Sequence, residues 1–269
     1  LNIYVGKGER GKTHFMRWII ADQMAYKKYP IKEGIAFVRT KFNGDFNFIP
    51  EERIFEGYDE AILRKFIKNL EDIKKQGKPL PKTYIIFDDQ AGLLAMNTGW
   101  WVNFISTYRH YNVHIHIAVQ YLPGKDGISP LLREQTTAAI MFNSRTVRTL
   151  TNLYEAYGQL YPTLKDFQKM LGDRTEKQTV GPHVAVVYFE RIDDMEKNYI
   201  PIRCPKKIEF PVELEKAQEV KVTDRDPVLD AVVENYKDAD KLPPLNITGN
   251  KRTLGALQDI VRSNKKRRL

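Results

Sequence analysis

Cysteine is nearly absent from this chain of 269 residues: Cys204 stands alone. A single thiol closes no internal disulfide and builds no thiolate metal centre, which fits a reducing setting. Long apolar runs are missing as well, and no stretch approaches the roughly 18 apolar residues of a membrane-spanning helix. The start of the chain carries no basic–apolar–small secretory pattern. It begins with Leu1 rather than Met, which leaves a preceding segment or domain open. No internal repeat and no low-complexity tract is visible.

What is present is the make-up of a folded protein. Hydrophobic residues make up 42% and aromatics 11% of the chain, ordinary values for a globular domain. The length suits one large domain, or one domain with an appendage. Net charge is +9, a balance that favours polyanionic partners, nucleic acid first among them.

The most informative segment is Gly6-Lys7-Gly8-Glu9-Arg10-Gly11-Lys12-Thr13. It fits the phosphate-loop pattern G-x-x-x-x-G-K-[ST] and follows the apolar run Leu1-Asn2-Ile3-Tyr4-Val5. Behind it, Phe15, Trp18, Ile19 and Met24 recur at helical spacing over residues 13–29. This strand–loop–helix context is what the motif requires. Glycines let backbone N–H groups turn inward onto a phosphate, helped by the positive end of the helix dipole. The expected cofactor-binding set is Gly6, Gly8, Glu9, Arg10, Gly11, Lys12, Thr13 and the adjoining His14. Lys12 is expected to bridge the β- and γ-phosphates, and the Thr13 hydroxyl to hold Mg²⁺.

Residues 34–38 read as a second strand, followed by an irregular stretch to Pro50. Residues 60–75 form an amphipathic helix, with Ile62, Leu63, Phe66, Ile67, Leu70 and Ile73 on one face. Thr83-Tyr84-Ile85-Ile86-Phe87 is a short β-forming run between Pro81 and Asp88, read as a strand buried on both faces. A helix is expected over 99–111, a strand over 113–119, a helix near Leu131 and a strand over 137–142. Alternating strands and helices predict an α/β fold, a mostly parallel sheet with helices on both faces. Residues 183–189 and 199–203 read as a strand pair joined across the acidic turn at Asp193 and Asp194. Beyond Glu213 the chain is charged, with helices expected near 226–236 and 252–262, and it ends in Lys265-Lys266-Arg267-Arg268. The expected organisation is a P-loop core over 1–175, a strand pair extending it over 176–212, and a charged extension over 213–269.

A phosphate loop needs an acid for Mg²⁺ and a base to orient water, and Asp88-Asp89 offer both at the end of one strand. Strand alternation turns neighbours to different sides, so Asp88 is assigned to the metal and Asp89 to the water that attacks the γ-phosphate. A strand lies between loop and acidic pair in the sequence, and Gln120 ends the strand after it. Both features favour the ATPase branch of P-loop proteins. A GTPase would carry a guanine-reading Asn-Lys-x-Asp, and a small-molecule kinase an Arg-rich lid; neither is found.

Phe87-Asp88-Asp89, followed by the segment 101–120 with its Arg109-His110 pair and terminal Gln120, resembles the FtsK–HerA superfamily of DNA-pumping ATPases. More narrowly it resembles the poxvirus-type virion packaging ATPases of large DNA viruses and virophages. The resemblance covers about residues 1–150, with a looser fit through the strand pair near residue 200. It implies that Lys12 and Thr13 hold ATP and Mg²⁺, that Asp88 is the metal-shell acid, and that Asp89 replaces a catalytic Glu. It further implies that Gln120 senses the γ-phosphate and that Arg109 is the arginine finger offered to a neighbouring subunit, with Arg133 and Arg145 as alternatives.

The expected function is an ATP-driven motor that packages double-stranded DNA into a viral capsid. The expected partners are DNA, further copies in a ring of five or six, and capsid proteins, in the virion or the host-cell cytoplasm. The alternatives are an assembly or export ATPase acting on protein or filamentous phage, and a nucleotide-gated scaffold with negligible turnover. His110, His114 and His116 are set aside as a metal site, and Trp100 and Trp101 are assigned to packing rather than base stacking. Lys125 could face DNA in a pore or lie in a solvated turn.

Overall fold

The computed structural model describes residues 1–26, 30–31, 33–41, 44–90, 98–122, 128–144, 146–176, 184–189 and 195–210. Eight strands form one sheet: β1 (Asn2–Val5), β2 (Glu33–Val38), β3 (Ile54–Glu56), β4 (Thr83–Asp88), β5 (Val113–Val119), β6 (Ala138–Met141), β7 (Val184–Tyr188) and β8 (Tyr199–Arg203). Their order is β3-β2-β4-β5-β1-β6-β7-β8. Every pair from β3 to β6 is parallel, and β7 and β8 add antiparallel strands. The strand pair expected near residue 200 therefore extends the sheet. The expected tail helices over 226–236 and 252–262 lie outside the described residues.

The central strands are apolar on both sides because both sides are covered. Ile3, Val5, Ile85, Phe87, Ile115, Ile117 and Val119 face one core. That core is closed by helices α2 (Glu60–Lys75), α3 (Gly99–Thr107), α5 (Val147–Tyr157) and α6 (Leu164–Glu176). Tyr4, Tyr84, Ile86 and Ala118 face the other core, which α1 (Lys12–Ala25) covers with Phe15, Met16, Ile19 and Ile20. Phe46, Phe48 and Ile49, with Phe210 from the end of the described chain, complete that side. Two short helices, α4 (Pro130–Glu134) and α7 (Met195–Asn198), precede β6 and β8.

Helix α2 shows how local sequence sets an element. Asp59 caps it by accepting from the backbone N–H groups of Ala61 and Ile62 at 2.7 and 3.3 Å, the usual role of an Asp at that position. Leu63, Phe66, Ile67, Leu70 and Ile73 form its buried stripe. Gly77, at φ 70°, ends it. Helix α3 is shorter than the expected 99–111, because Tyr108–Tyr111 tighten into a 3-10 turn that stops at Asn112 in the left-handed region (φ 59°).

The phosphate-loop strand and the acidic strand are not neighbours: β5 lies between β1 and β4. The strand at 34–38, which lies between them in sequence, sits on the far side of β4 as β2. This insertion sends the ends of β1, β5 and β4 to one edge of the sheet in the order loop, Gln120, Asp88.

Candidate nucleotide site

The loop leaves the sheet held on both sides. The Gly6 N–H donates to the Val119 carbonyl at 3.2 Å, and Phe142 N–H donates to the Val5 carbonyl at 3.0 Å. A side chain at Gly6 would meet Phe142 Cβ at 2.8 Å, so the loop starts flush against β6. Gly11 at φ 89° makes the turn into α1, a conformation glycine adopts at little cost. Glu9 is also left-handed, at φ 60°. The free N–H groups at the start of α1 and the helix dipole face this concavity.

Lys12, at 6% exposure, folds back so that Nζ donates to the Lys7 carbonyl at 3.3 Å. Burial lowers its pKa, against the pull of Asp89 and Asp88 toward the charged form. An ammonium that donates to a carbonyl and feels the charge of two nearby acids suits an arriving polyphosphate.

Asp88 lies at the end of β4, and the Thr13 hydroxyl donates to both of its carboxylate oxygens at 3.2 Å. Burial, and then the charge of Asp89, push the Asp88 pKa up to about 7, while Thr13 and Lys12 act in the opposite sense. Asp89 is beyond the strand in a left-handed turn (φ 52°), with its N–H donating to the Ala118 carbonyl at 3.1 Å. The two carboxylates thus diverge because of that turn, not through the strand alternation expected from sequence. Gln120 Nε2 donates to Asp89 Oδ2 at 3.1 Å, and Asp89 Oδ1 is buried without a hydrogen-bond partner among the described residues. An unpaired buried acceptor costs about 1–3 kcal/mol, and it marks where a polar reactant would be received.

The donor set can be tested for Mg²⁺. A hydroxyl and a carboxylate in mutual contact, beside a phosphate cradle, are the hard oxygen ligands that this ion takes together with substrate phosphates. Thr13 and Asp88 fit the ion.

The structure brings Lys12, Thr13, Asp88, Asp89 and Gln120 to one edge. His14 turns elsewhere: its Nε2 lies 2.8 Å from the Pro205 carbonyl, tying α1 to the segment after β8. Arg109 is in the 3-10 turn before β5, at the opposite edge of the sheet, with Nε donating to Tyr108 Oη at 3.1 Å. The length of β5, 7 residues, puts it roughly 20 Å from the cradle of its own chain. Arg133 is in α4, with Nε buried and unpartnered among the described residues. Arg145 and Lys125 lie outside the described residues. Trp101 is in the core at 2% exposure, and Trp100 stacks on Phe104 with Arg64 over its ring at 4.7 Å.

The sequence alone does not single out Gln90 or Asp45. Gln90 is 5% exposed and its Nε2 donates to the Asp88 carbonyl at 3.3 Å. Its position directly after the acidic pair is the one available signal. Asp45 adds to the raised pKa of Asp88 and pairs with Arg17 on α1 at 3.8 Å. Nothing in the irregular stretch around it marks that contact.

The strand order and this strand–loop–helix define a P-loop NTPase fold. The same fold occurs in the genome packaging NTPase B204 of Sulfolobus turreted icosahedral virus 2, solved with AMPPCP. The two match with a TM-score of 0.53 and 15% identity, over 76% of this chain and 97% of that one. It occurs also in EssC (ATPases 2 and 3) of Geobacillus thermodenitrificans, at a TM-score of 0.50 and 13% identity, over 96% of this chain but only 48% of that one. The fold implied by the packaging-ATPase resemblance is thus the fold found. In sequence, the chain is 22% identical over 221 residues to the uncharacterized protein 075L of Invertebrate iridescent virus 6, covering 77% of this chain and 83% of that protein. It is 23% identical over 176 residues to the uncharacterized protein 088R of Invertebrate iridescent virus 3, covering 65% of each. No protein-family model matches the chain.

Proposed function

We propose that this chain is an ATP-hydrolysing motor that moves double-stranded DNA into a viral capsid, working as a homo-oligomeric ring of five or six subunits. The observation that carries the reading is the meeting of Thr13 with Asp88 at 3.2 Å and of Gln120 with Asp89 at 3.1 Å beside the Lys12 loop. The fold shared with B204, a genome packaging NTPase, supports it. So does the net charge of +9, which suits a polyanionic track.

The loop amides and Lys12 bind and orient the triphosphate, with Gly6, Gly8, Glu9, Arg10 and Gly11 framing the cradle, while His14 anchors α1 from behind it. Thr13 and Asp88 would hold Mg²⁺, which would supply positive charge to offset that of the phosphates. Asp89 accepts a proton from the attacking water, and Gln120 fixes the orientation of that carboxylate. Gln120 is the residue placed to sense the γ-phosphate. Capsid proteins are the further partners, and the virion or viral factory is the place of action.

The test is turnover. Lys12→Ala and Asp89→Asn are each expected to abolish ATP hydrolysis, with circular dichroism and thermal unfolding like the parent's. Asparagine tolerates the left-handed backbone of position 89, so a loss there reports the carboxylate. Parental turnover in either variant removes the site assignment.

A second reading is an assembly or export ATPase acting on protein or filamentous phage, which the ATPase fold shared with EssC suits equally well. Stimulation of hydrolysis by duplex DNA separates the two. A nucleotide-gated scaffold would show no product in a single-turnover assay.

A further inference from the structure

One described stretch of the chain is strongly basic. Between residues 64 and 82 there are seven basic residues against two acidic ones, beside a net charge of +9 for the whole chain. These residues belong to α2 and the turn after it, on the face of the sheet opposite α1 and the phosphate cradle.

Both acids in that stretch are engaged. Glu71 accepts from the Tyr111 hydroxyl at 2.9 Å, and Asp72 pairs with Lys75 at 3.5 Å. Several cations have local work too. Arg64 is held by Glu60 and lies over Trp100, while Lys74 donates to the His110 carbonyl at 3.5 Å. Lys74 and Lys75 also answer the dipole at the end of their own helix. Lys65, Lys68 and Lys78 have none of these explanations. All three are exposed, and none has an ion-pair partner among the described residues. Lys65, Lys68 and Lys75 are spaced along one outward stripe, with the buried stripe of Leu63, Phe66 and Leu70 on the other side. A helix of 16 residues is about 24 Å long, and duplex DNA presents one phosphate charge per roughly 1.7 Å of axis. From Lys65 to Lys75 the stripe runs about 15 Å, so each of its lysines can meet a different phosphate, which no single small anion would allow.

We propose that the outer face of α2 and the turn that follows it, through Lys65, Lys68 and Lys78, form a binding surface for the phosphate backbone of duplex DNA, separate from the nucleotide cradle. The surface takes its partner from the motor reading and deepens it. Because it lies across the sheet from Lys12, it can be altered without touching the triphosphate.

The experiment measures duplex affinity against salt, using a random-sequence DNA and the full chain. In the triple variant Lys65→Glu, Lys68→Glu, Lys78→Glu, affinity is expected to fall roughly tenfold or more. The slope of log affinity against log salt should lessen by about 0.9 for each phosphate that is no longer neutralised. Glutamine at the same three positions should give an intermediate loss, which covers the case of a charge-reversed chain that folds badly. The control carries the same change of net charge elsewhere: Lys165→Glu, Lys169→Glu, Arg203→Glu, at exposed positions of α6 and β8. It should keep the parental affinity and slope.

Equal losses in the two triple variants would mean that only net charge matters, and would overturn the surface. So would parental affinity in the α2 variant accompanied by loss of self-association, which would assign the face to a neighbouring subunit. DNA-independent ATP turnover, measured alongside, is expected to be unchanged in the α2 variant. Turnover without any DNA binding in the parent protein overturns the surface and the motor's track but leaves the nucleotide site standing; absent turnover with intact DNA binding does the reverse.

Discussion

Asp88 illustrates how a functional residue sits at odds with the stability of the fold. Its carboxylate is buried beside Asp89, and its pKa rises from 3.8 to about 7. The folded protein therefore holds this proton more tightly than the unfolded chain. The residue's contribution to stability is complete below about pH 4 and is lost as pH rises toward 7. Without Mg²⁺ and nucleotide, Asp88→Asn is expected to raise Tm, by more at pH 8 than at pH 5, while turnover disappears. A Tm gain independent of pH would refute burial as the cause. Asp88 and Asp89 are legible as a pair because two acids ending a buried strand beside a phosphate loop have little other use. The hydrogen bond from Gln120 to Asp89 is not legible, since it spans 31 positions and depends on which strands are neighbours.

At the scale of elements, β2 and β4 approach each other closely at Gly34. A Cβ at Gly34 would sit 2.1 Å from the backbone oxygen of Tyr84, in a region where neither strand can retreat without opening their ladder. Gly34→Ala is expected to destabilise by about 3 kcal/mol, the upper range for overpacking, as read from urea unfolding. A loss under about 1 kcal/mol would mean that the strands can separate. In sequence this glycine looks like an ordinary strand start. The long amphipathic α2 and the β-forming run of β4 are readable because period and residue type agree over their whole length. Strand β3, of 3 residues, follows the expected irregular region and is too short to show a period of its own. Helices α5 and α6 do not stand out in the sequence either, although each buries a regular apolar set such as Leu150, Leu153 and Tyr157.

For the whole molecule, the separation of Arg109 from its own cradle sets the terms on which a ring could work. Arg109 lies at the edge where β5 begins, and Asp88, Gln120 and Lys12 lie at the edge where the strands end. An arginine finger from this position must act on a neighbour, whose cradle would have to meet that edge. Arg109→Ala is expected to lower turnover by about 10³–10⁵. Mixing it with Lys12→Ala subunits should restore part of the activity, because one variant keeps the cradle and the other keeps the arginine. Turnover close to the parent's in Arg109→Ala would pass the role to Arg133 or Arg145.

The loop, the acidic pair, the parallel α/β sheet and the packaging-ATPase likeness can all be read along the chain. Each rests on residues close together in sequence: a glycine spacing, a strand-end doublet, a hydrophobic period. Placement of β5 between β1 and β4, the left-handed turn at Asp89, the tie from His14 to Pro205 and the distance of Arg109 cannot. Those depend on strand order and on packing between segments far apart in the chain, where a local pattern carries no record of its eventual neighbour.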